Sequence, residues 1–578
     1  MSWLFGFYSK EKTDTRIVAE FHPSEIESYS NNKIYIAIGG NHQTAFYEKK
    51  KTGLKYFICG VPISADPPRI LSNEDLNVFM NSTPYSTENI NGHFCGICVE
   101  NETLSFFTDK LGLREIFIFE NKIGWYFSTR LDWLLQLDHF EIDYSEFGSR
   151  WLLANQLSNR SIVSNIHRLN CGSKASIVLN KLDITNNNWI PSKKDKIGIN
   201  EFSENLQNII LLGEKDNSNI SLSLSGGMDS RVILSYLLNS TYENYDCHTF
   251  NNDEDIDSDI AGKISNDHNI KCNIISNSHQ TQDDIISELI EYVGSTYLTE
   301  SGYTSQKLMN YRSLPKDSLI IDGGFGEIWR REFLTRLYYF GKDDLTNRNY
   351  KNITGYLLNQ RANIFNENYN SRMQNGIYNQ IEELLNYLPP IREVGLENWL
   401  DLFSLKTRLV NYYAPEQSRI DSYVKSYMPF VQTSLLDNLL ALPANIRKNN
   451  RLFKKIIKSN YSELAKYNLS KGDLQYPFWF TPLMKRVYSQ IFDKFRSPRD
   501  NQSIHIYLNK LKEFTLDTIS SNSVKEYSPY NYNQIKIKVD SYYNGNLSEG
   551  KFVDWFITFE IFRQIIGSKH TIFNNLKS

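Results

Sequence analysis

The sequence predicts an α/β protein: a strand-rich first part, then a parallel, doubly wound sheet, then a mostly helical remainder. Three observations carry this expectation. Up to about residue 190 short alternating apolar runs are separated by turn residues; from Asn219 strand-like and helix-like patterns alternate; beyond about residue 330 Trp, Tyr and Leu recur at helical spacing.

The first part contains alternating runs at residues 33–38, 92–99, 104–107, 116–119 and 125–128, which read as antiparallel strands. Cys95 and Cys98 form a C-x-x-C inside one run, with no second Cys or His pair at metal spacing, so they read as buried strand and not as a zinc site. The second part reads as strand 220–224, helix 232–238, strand 245–250, helix 258–266, strand 272–275, helix 283–293 and strand 318–321. Leu435, Leu436, Leu439 and Leu440 before Pro443 read as a helix. The polar, Lys-rich stretch 194–200 marks the boundary between two expected domains, 1–193 and 200–578. At ~150 residues per domain the chain is too long for one ordinary core.

Lys and Arg number 63 against 66 Asp and Glu, a formal charge of -3, so no global field recruits a nucleic acid or an anionic membrane. The apolar opening 1–7 is cut off by Lys10, Glu11 and Lys12, too short for a signal segment, and no run approaches the ~18 uncharged apolar residues of a membrane span. The expected location is cytoplasmic, with reduced thiols.

The segment most informative about chemistry is Ser223-Leu224-Ser225-Gly226-Gly227-Met228-Asp229-Ser230, between a strand and a helix. Paired glycines let the backbone wrap a ligand, Ser225 and Ser230 offer hydroxyl donors, and the helix presents unpaired N–H groups and the positive end of its dipole to an anion. A tight turn with Ser as helix cap is the plainer alternative. The loop lacks the lysine of G-x-x-x-x-G-K-[ST], so it is not a Walker loop.

S-G-G-x-D-S after a strand resembles the PP-loop of the ATP pyrophosphatases, and several further segments resemble the asparagine synthetase superfamily, whose members include β-lactam synthetase and lasso-peptide cyclase. Gly92-His93-Phe94-Cys95, Phe107 to Arg114, Phe127 to Leu131 and the turn through Leu169 and Gly172 are similar to segments of its glutaminase domain. Asp257, Asp259 and Ala261, Arg419-Ile420-Asp421, Tyr427-Met428-Pro429-Phe430, Leu442-Pro443, Lys454, Lys455 and Lys471-Gly472-Asp473 are similar to segments of its synthetase domain. The resemblance implies an Ntn-hydrolase-like αββα sandwich followed by an adenine-nucleotide alpha hydrolase-like (PP-loop) parallel-sheet domain with helical C-terminal additions. It implies ATP and Mg²⁺ as cofactors, with Leu224, Ser225, Gly226, Gly227, Asp229, Ser230, Gly323 and Gly324 around the nucleotide, Thr249 and Phe250 near adenine, and Asp229 as the magnesium ligand. Lys471 is the implied catalytic lysine.

Two departures shape the functional expectation. The chain begins Met1-Ser2 where active glutaminases of the family begin Met-Cys, and Glu100 stands where an Asp usually holds the glutamine amine, so an inactive glutaminase-like domain is expected. Asp322-Gly323-Gly324-Phe325-Gly326-Glu327 replaces S-G-E-G-S-D-E, so that the family's catalytic Glu falls on Gly323 and its second magnesium Asp on Gly326. Asp322 or Glu327 stands in for them, or Glu327 is simply an acid favourable to a helix dipole. The implied function is an amide-forming ligase that adenylates a small-molecule or peptide carboxylate and passes it to ammonia or an amine, in a biosynthetic pathway other than asparagine synthesis. The alternatives are a degenerate nucleotide-binding scaffold and a true ammonia-dependent asparagine synthetase. A homodimer or a pathway partner protein is the expected assembly.

Overall fold

The apolar opening forms a strand, Trp3–Ser9, that lies between Ile34–Gly39 and Gly124–Ser128, antiparallel to both. In the computed structural model these belong to a six-stranded sheet in the order Ile166–Leu169, Ile116–Glu120, Gly124–Ser128, Trp3–Ser9, Ile34–Gly39, Glu25–Ser30. The structure describes residues 2–48, 54–81, 87–100, 102–186, 189–192, 196–215, 217–251, 256–276, 281–297, 300–359, 362–472, 474–495 and 502–567.

A second antiparallel sheet is built around the long strands Lys55–Ala65 and Ile90–Glu100. Leu4, Ile36, Ile118 and Phe127 of the first sheet share one core with Phe57, Cys95, Ile97 and Phe106 of the second, so the sheets stack face to face. On the outer face of the second sheet Tyr56, Ile58, Cys98 and Phe107 pack against Leu76 and Met80 of helix Asn73–Asn81. Phe5, Phe7, Phe117 and Phe119 cover the outer face of the first sheet together with Leu134, Phe147 and Trp151. Four layers, helix, sheet, sheet, helix, follow from the period-two alternation of each strand. Cys95 and Cys98, three residues apart, therefore point to opposite faces and cannot share a metal. Among the described residues no group of three or more His, Cys, Asp or Glu is placed to hold a metal ion.

The stretch expected to divide the chain, 194–200, lies partly outside the described residues and runs into helix Ile199–Ile210. Beyond it five strands form a wholly parallel sheet in the order Cys272–Ser276, Tyr245–Asn251, Ile220–Ser223, Leu319–Ile321, Lys425–Tyr427. The expected four strands are present. The fifth, Lys425–Tyr427, is three residues long and carries too little apolar pattern to be read from sequence. Chain order reverses at Ile220–Ser223, whose neighbours are the second strand on one side and the fourth on the other, which makes its carboxyl end the switch point where ligands of such sheets bind. The leucine pattern 435–440 does not make one helix: helix Thr433–Leu436 stops after one turn, and Leu439 N–H reaches back only three residues, to Leu436 O at 2.8 Å. Burial of Leu435, Leu436 and Leu439 is met by turns instead of a continuous helix.

The strand-rich part and the rest of the chain are joined by buried polar contacts. His93 Nε2 lies 2.7 Å from Asp421 Oδ2, and both side chains are sealed from solvent. Arg114 donates to Ser418 O at 3.2 Å and stands 3.9 Å from the same Asp421 oxygen.

Candidate functional site

The loop after Ile220–Ser223 is held by its own side chains. Leu224 N–H extends the strand pairing to His248 O at 2.9 Å. Ser225 N–H donates to Ser230 Oγ at 3.2 Å, the two hydroxyls lie 3.1 Å apart, and Gly227 N–H donates to Ser225 Oγ at 3.1 Å. Gly226 N–H donates to Asp257 Oδ1 at 3.1 Å, which also accepts from the Ser470 hydroxyl. A Cβ on Gly226 would lie 2.1 Å from Ser470 Oγ and 2.9 Å from Ser470 Cβ, so the position requires glycine. Buried Arg231 ties the loop to the segment behind it, donating to Gly226 O at 3.2 Å, Tyr467 O at 2.8 Å and Asn468 O at 2.7 Å. The helix that follows, Met228–Asn239, is capped by Gly227 with no side-chain cap, so its first-turn N–H groups remain available to a ligand.

The facing wall follows Leu319–Ile321. Gly324 N–H donates to Asp322 Oδ1 at 2.9 Å, and Gly323 and Gly326 press on Asp229: Cβ atoms there would lie 3.1 Å from Asp229 Cβ and 2.4 Å from Asp229 Oδ1. Arg330 then forks onto Asp229, Nε to Oδ1 at 2.8 Å and Nη2 to Oδ2 at 2.6 Å, while its Nη1 lies 2.9 Å from Glu332 Oε2. Burial pushes the Asp229 carboxyl up to about 7 against the lowering pull of Arg330, with Glu327 and Glu332 adding to the rise. Glu332 also draws Lys471, whose Nζ is 3.8 Å away, and Lys485 lies within electrostatic reach of Lys471, Glu332 and Arg330. Tyr413 donates to Glu327 Oε2 at 3.4 Å.

Of the residues expected at the site, Leu224, Ser225, Gly226, Gly227, Asp229, Ser230, Asp257, Asp322, Gly323, Gly324, Glu327 and Lys471 lie in these facing segments, with Gly326 beside Asp229. Thr249 and Phe250, adjacent strand residues, face opposite sides of the sheet: the Phe250 ring meets Tyr311 edge-on at 5.0 Å on one side, and Thr249 is buried on the other. Lys471 is two-thirds exposed at the end of hairpin strand Leu469–Lys471, and Asp473 lies outside the described residues. Arg330, Glu332, Tyr413, Ser470 and Lys485 join the site from distant segments that no local spacing marks, and Arg231, next to Ser230, enters through its buried contacts behind the loop. Ser2 is fully buried, and its hydroxyl and carbonyl accept from Arg114 at 3.1 and 2.8 Å. Glu100 is exposed at the end of strand Ile90–Glu100.

The donor set does not fit a magnesium ion held by Asp229. Both its oxygens are taken by Arg330, and the positions that would bring further carboxylates, 323 and 326, are glycines with no room for a side chain.

No family model matches the sequence, and no curated protein matches it. Among solved structures the chain is similar to an NH3-dependent NAD synthetase from Campylobacter jejuni subsp. jejuni NCTC 11168 in complex with the nitrate ion, at 14% identity over 34% of this chain and 99% of that one, with a TM-score of 0.19. A glutamine phosphoribosylpyrophosphate amidotransferase from B. subtilis complexed with ADP and GMP shares 9% identity over 57% of this chain and 77% of that one, with a TM-score of 0.21. The allosteric regulatory enzyme of purine biosynthesis gives 9% identity, 59% and 72% coverage and a TM-score of 0.20. Likenesses this weak carry no argument about activity. No helix among the described residues is long and apolar enough to cross a membrane.

Proposed function

We propose that the protein is an ATP-dependent, AMP-forming ligase that joins a carboxylate to ammonia or an amine and lacks a working glutaminase. The observation that carries this reading is the glycine-capped start of Met228–Asn239 at the sheet's switch point, ringed by the Ser225 and Ser230 hydroxyls and by Arg330, Lys471 and Lys485. Such a cluster of N–H donors and cations suits a polyphosphate. Arg330, positioned by Asp229 and Glu332, supplies the fixed positive charge at the phosphates. A substrate carboxylate oxygen attacks the α-phosphorus, forming the new O–P bond as the bond to the β-phosphate oxygen breaks and pyrophosphate leaves. The amine nitrogen then attacks the acyl carbon, AMP leaves, and Glu327, beside Tyr413, takes the amine proton. Lys471 stabilises charge that develops on the phosphorus and on the tetrahedral acyl carbon. Asp322 shapes the turn that opens this wall. The burial of Ser2 under Arg114 supports a structural role for the glutaminase-like part, so that nitrogen enters as ammonia or as a substrate amine.

A nucleotide-binding scaffold is the second reading, favoured by the engagement of Asp229 with Arg330 and by glycines at 323 and 326. Pyrophosphate release from ATP with pooled metabolite carboxylates and ammonium separates the two. Release that requires the pool supports the ligase; ATP binding without release supports the scaffold. Aspartate with ammonia is expected to give no asparagine.

A further inference from the structure

A cavity of about 380 Å³ lies where helices from distant parts of the chain meet. Its walls include Arg150 from helix Tyr144–Leu153, Tyr292 from Gln282–Thr296, Arg408 and Tyr412 from the π-helix Leu405–Tyr413, Arg419 from Ala414–Ile420 and Trp555 from Gly550–Gly567. Arg419 is 2% exposed, yet its Nε and Nη1 have no hydrogen-bond partner among the described residues, and its guanidinium carbon sits 3.2 Å over the Tyr292 ring. Arg408 Nε is likewise buried without a partner, with the guanidinium 4.8 Å from the Tyr412 ring.

The acids of this wall do not meet that need. Glu300 lies 3.4 Å from Arg150, and Asp554 accepts from Tyr303 N–H at 3.0 Å and from the Ser301 hydroxyl. Glu416 acts on Arg419 electrostatically without reaching Nε or Nη1. Burial depresses the Arg419 guanidinium, as expected for a cation short of partners. A buried guanidinium with free donors is costly unless an oxyanion completes it, and a planar fork over aromatic rings matches a flat anionic ligand.

We propose that this cavity binds a small organic anion with a flat body, its carboxylate or phosphate held by Arg419 and Arg408 and its ring lying against Tyr412 and Trp555. The site stands on these residues alone and holds whether or not the Ser225 to Ser230 loop turns over ATP.

Calorimetric titration of the full chain with phenylacetate, phenylphosphonate and the neutral phenylacetamide tests it. At least one anion is expected to bind at about millimolar Kd or tighter, with the amide weaker by about tenfold or more. Arg419→Gln and Arg408→Gln are each expected to weaken the anion by about tenfold and to leave the amide unchanged. Binding of phenylacetate alone assigns a carboxylate site, and of phenylphosphonate alone a phosphate site. If Arg419→Gln fails to fold, the partly exposed Arg408→Gln decides. Absence of binding by either anion, equal binding of the amide, or anion binding indifferent to the arginine variants overturns the proposal.

Discussion

At the scale of single residues the site is organised by one ion pair. Arg330 and Asp229 are 10% and 19% exposed and meet through two short hydrogen bonds, so removing the guanidinium strands a carboxylate among Glu327 and Glu332. Arg330→Ala is expected to cost about 2–3 kcal/mol, somewhat below the ~3–5 kcal/mol of a fully buried broken pair, read as a shifted urea midpoint. Lys471, exposed and loosely paired, has no such structural duty. Lys471→Met should therefore abolish pyrophosphate release while leaving ATP affinity within a few-fold; normal turnover would remove the lysine from the mechanism. Asp554 gives a pH signature. Burial raises its carboxyl to about 6, with Ser301 and Tyr303 as its donors and Tyr507 nearby. Its contribution to stability is thus complete below the unfolded value of ~4 and is lost as pH rises through the folded value. Between pH ~4 and ~7 the wild type should lose ~2–3 kcal/mol relative to Asp554→Asn, measured by denaturant unfolding across that range. Asp229, Glu327 and Lys471 were legible from a motif or a resemblance. Arg330 and Glu332 were not, because a fork onto Asp229 from a segment about a hundred residues away leaves no local pattern.

At the scale of elements, alternation made the antiparallel strands legible, and the change to β-α rhythm located the parallel sheet. Short elements escaped for a physical reason: Lys425–Tyr427 and Leu474–Tyr476 are fixed by neighbours, not by their own periodicity. The same applies to Leu435 to Leu440, whose burial satisfies a helical pattern that the backbone does not follow. The turn after Thr103–Thr108 is an element built by one side chain. Asp109 accepts from the N–H groups of Leu111, Leu113, Arg114 and Phe94 at 3.0, 3.1, 2.9 and 3.3 Å, and so presents Arg114 to Ser2. Asp109→Ala leaves these buried donors unpaired and should cost about 3–5 kcal/mol in chemical denaturation. A loss under about 1 kcal/mol would mean that the turn is held by its backbone alone.

At the scale of the whole molecule, the strand-rich part packs on the parallel sheet through His93, Arg114 and Asp421, and the cavity at Arg419 opens two residues from that contact. The layers of each part were foreseeable from pattern, whereas their junction was not, since His93 and Asp421 are 328 positions apart in the chain. The proposed nucleotide site lies at the switch-point loop, and the walls around it are assembled from distant segments of the chain.

The most direct test is to incubate the purified protein with α-³²P-labelled ATP, Mg²⁺, ammonium and cell extract, beside an Asp229→Ala control, and to separate AMP from ADP. Labelled AMP that depends on the extract is expected, and it is lost in the control, where Arg330 has lost its anchor. ADP formed by the wild type and not by the control would contradict it, because cleavage would then fall beyond the α-phosphate.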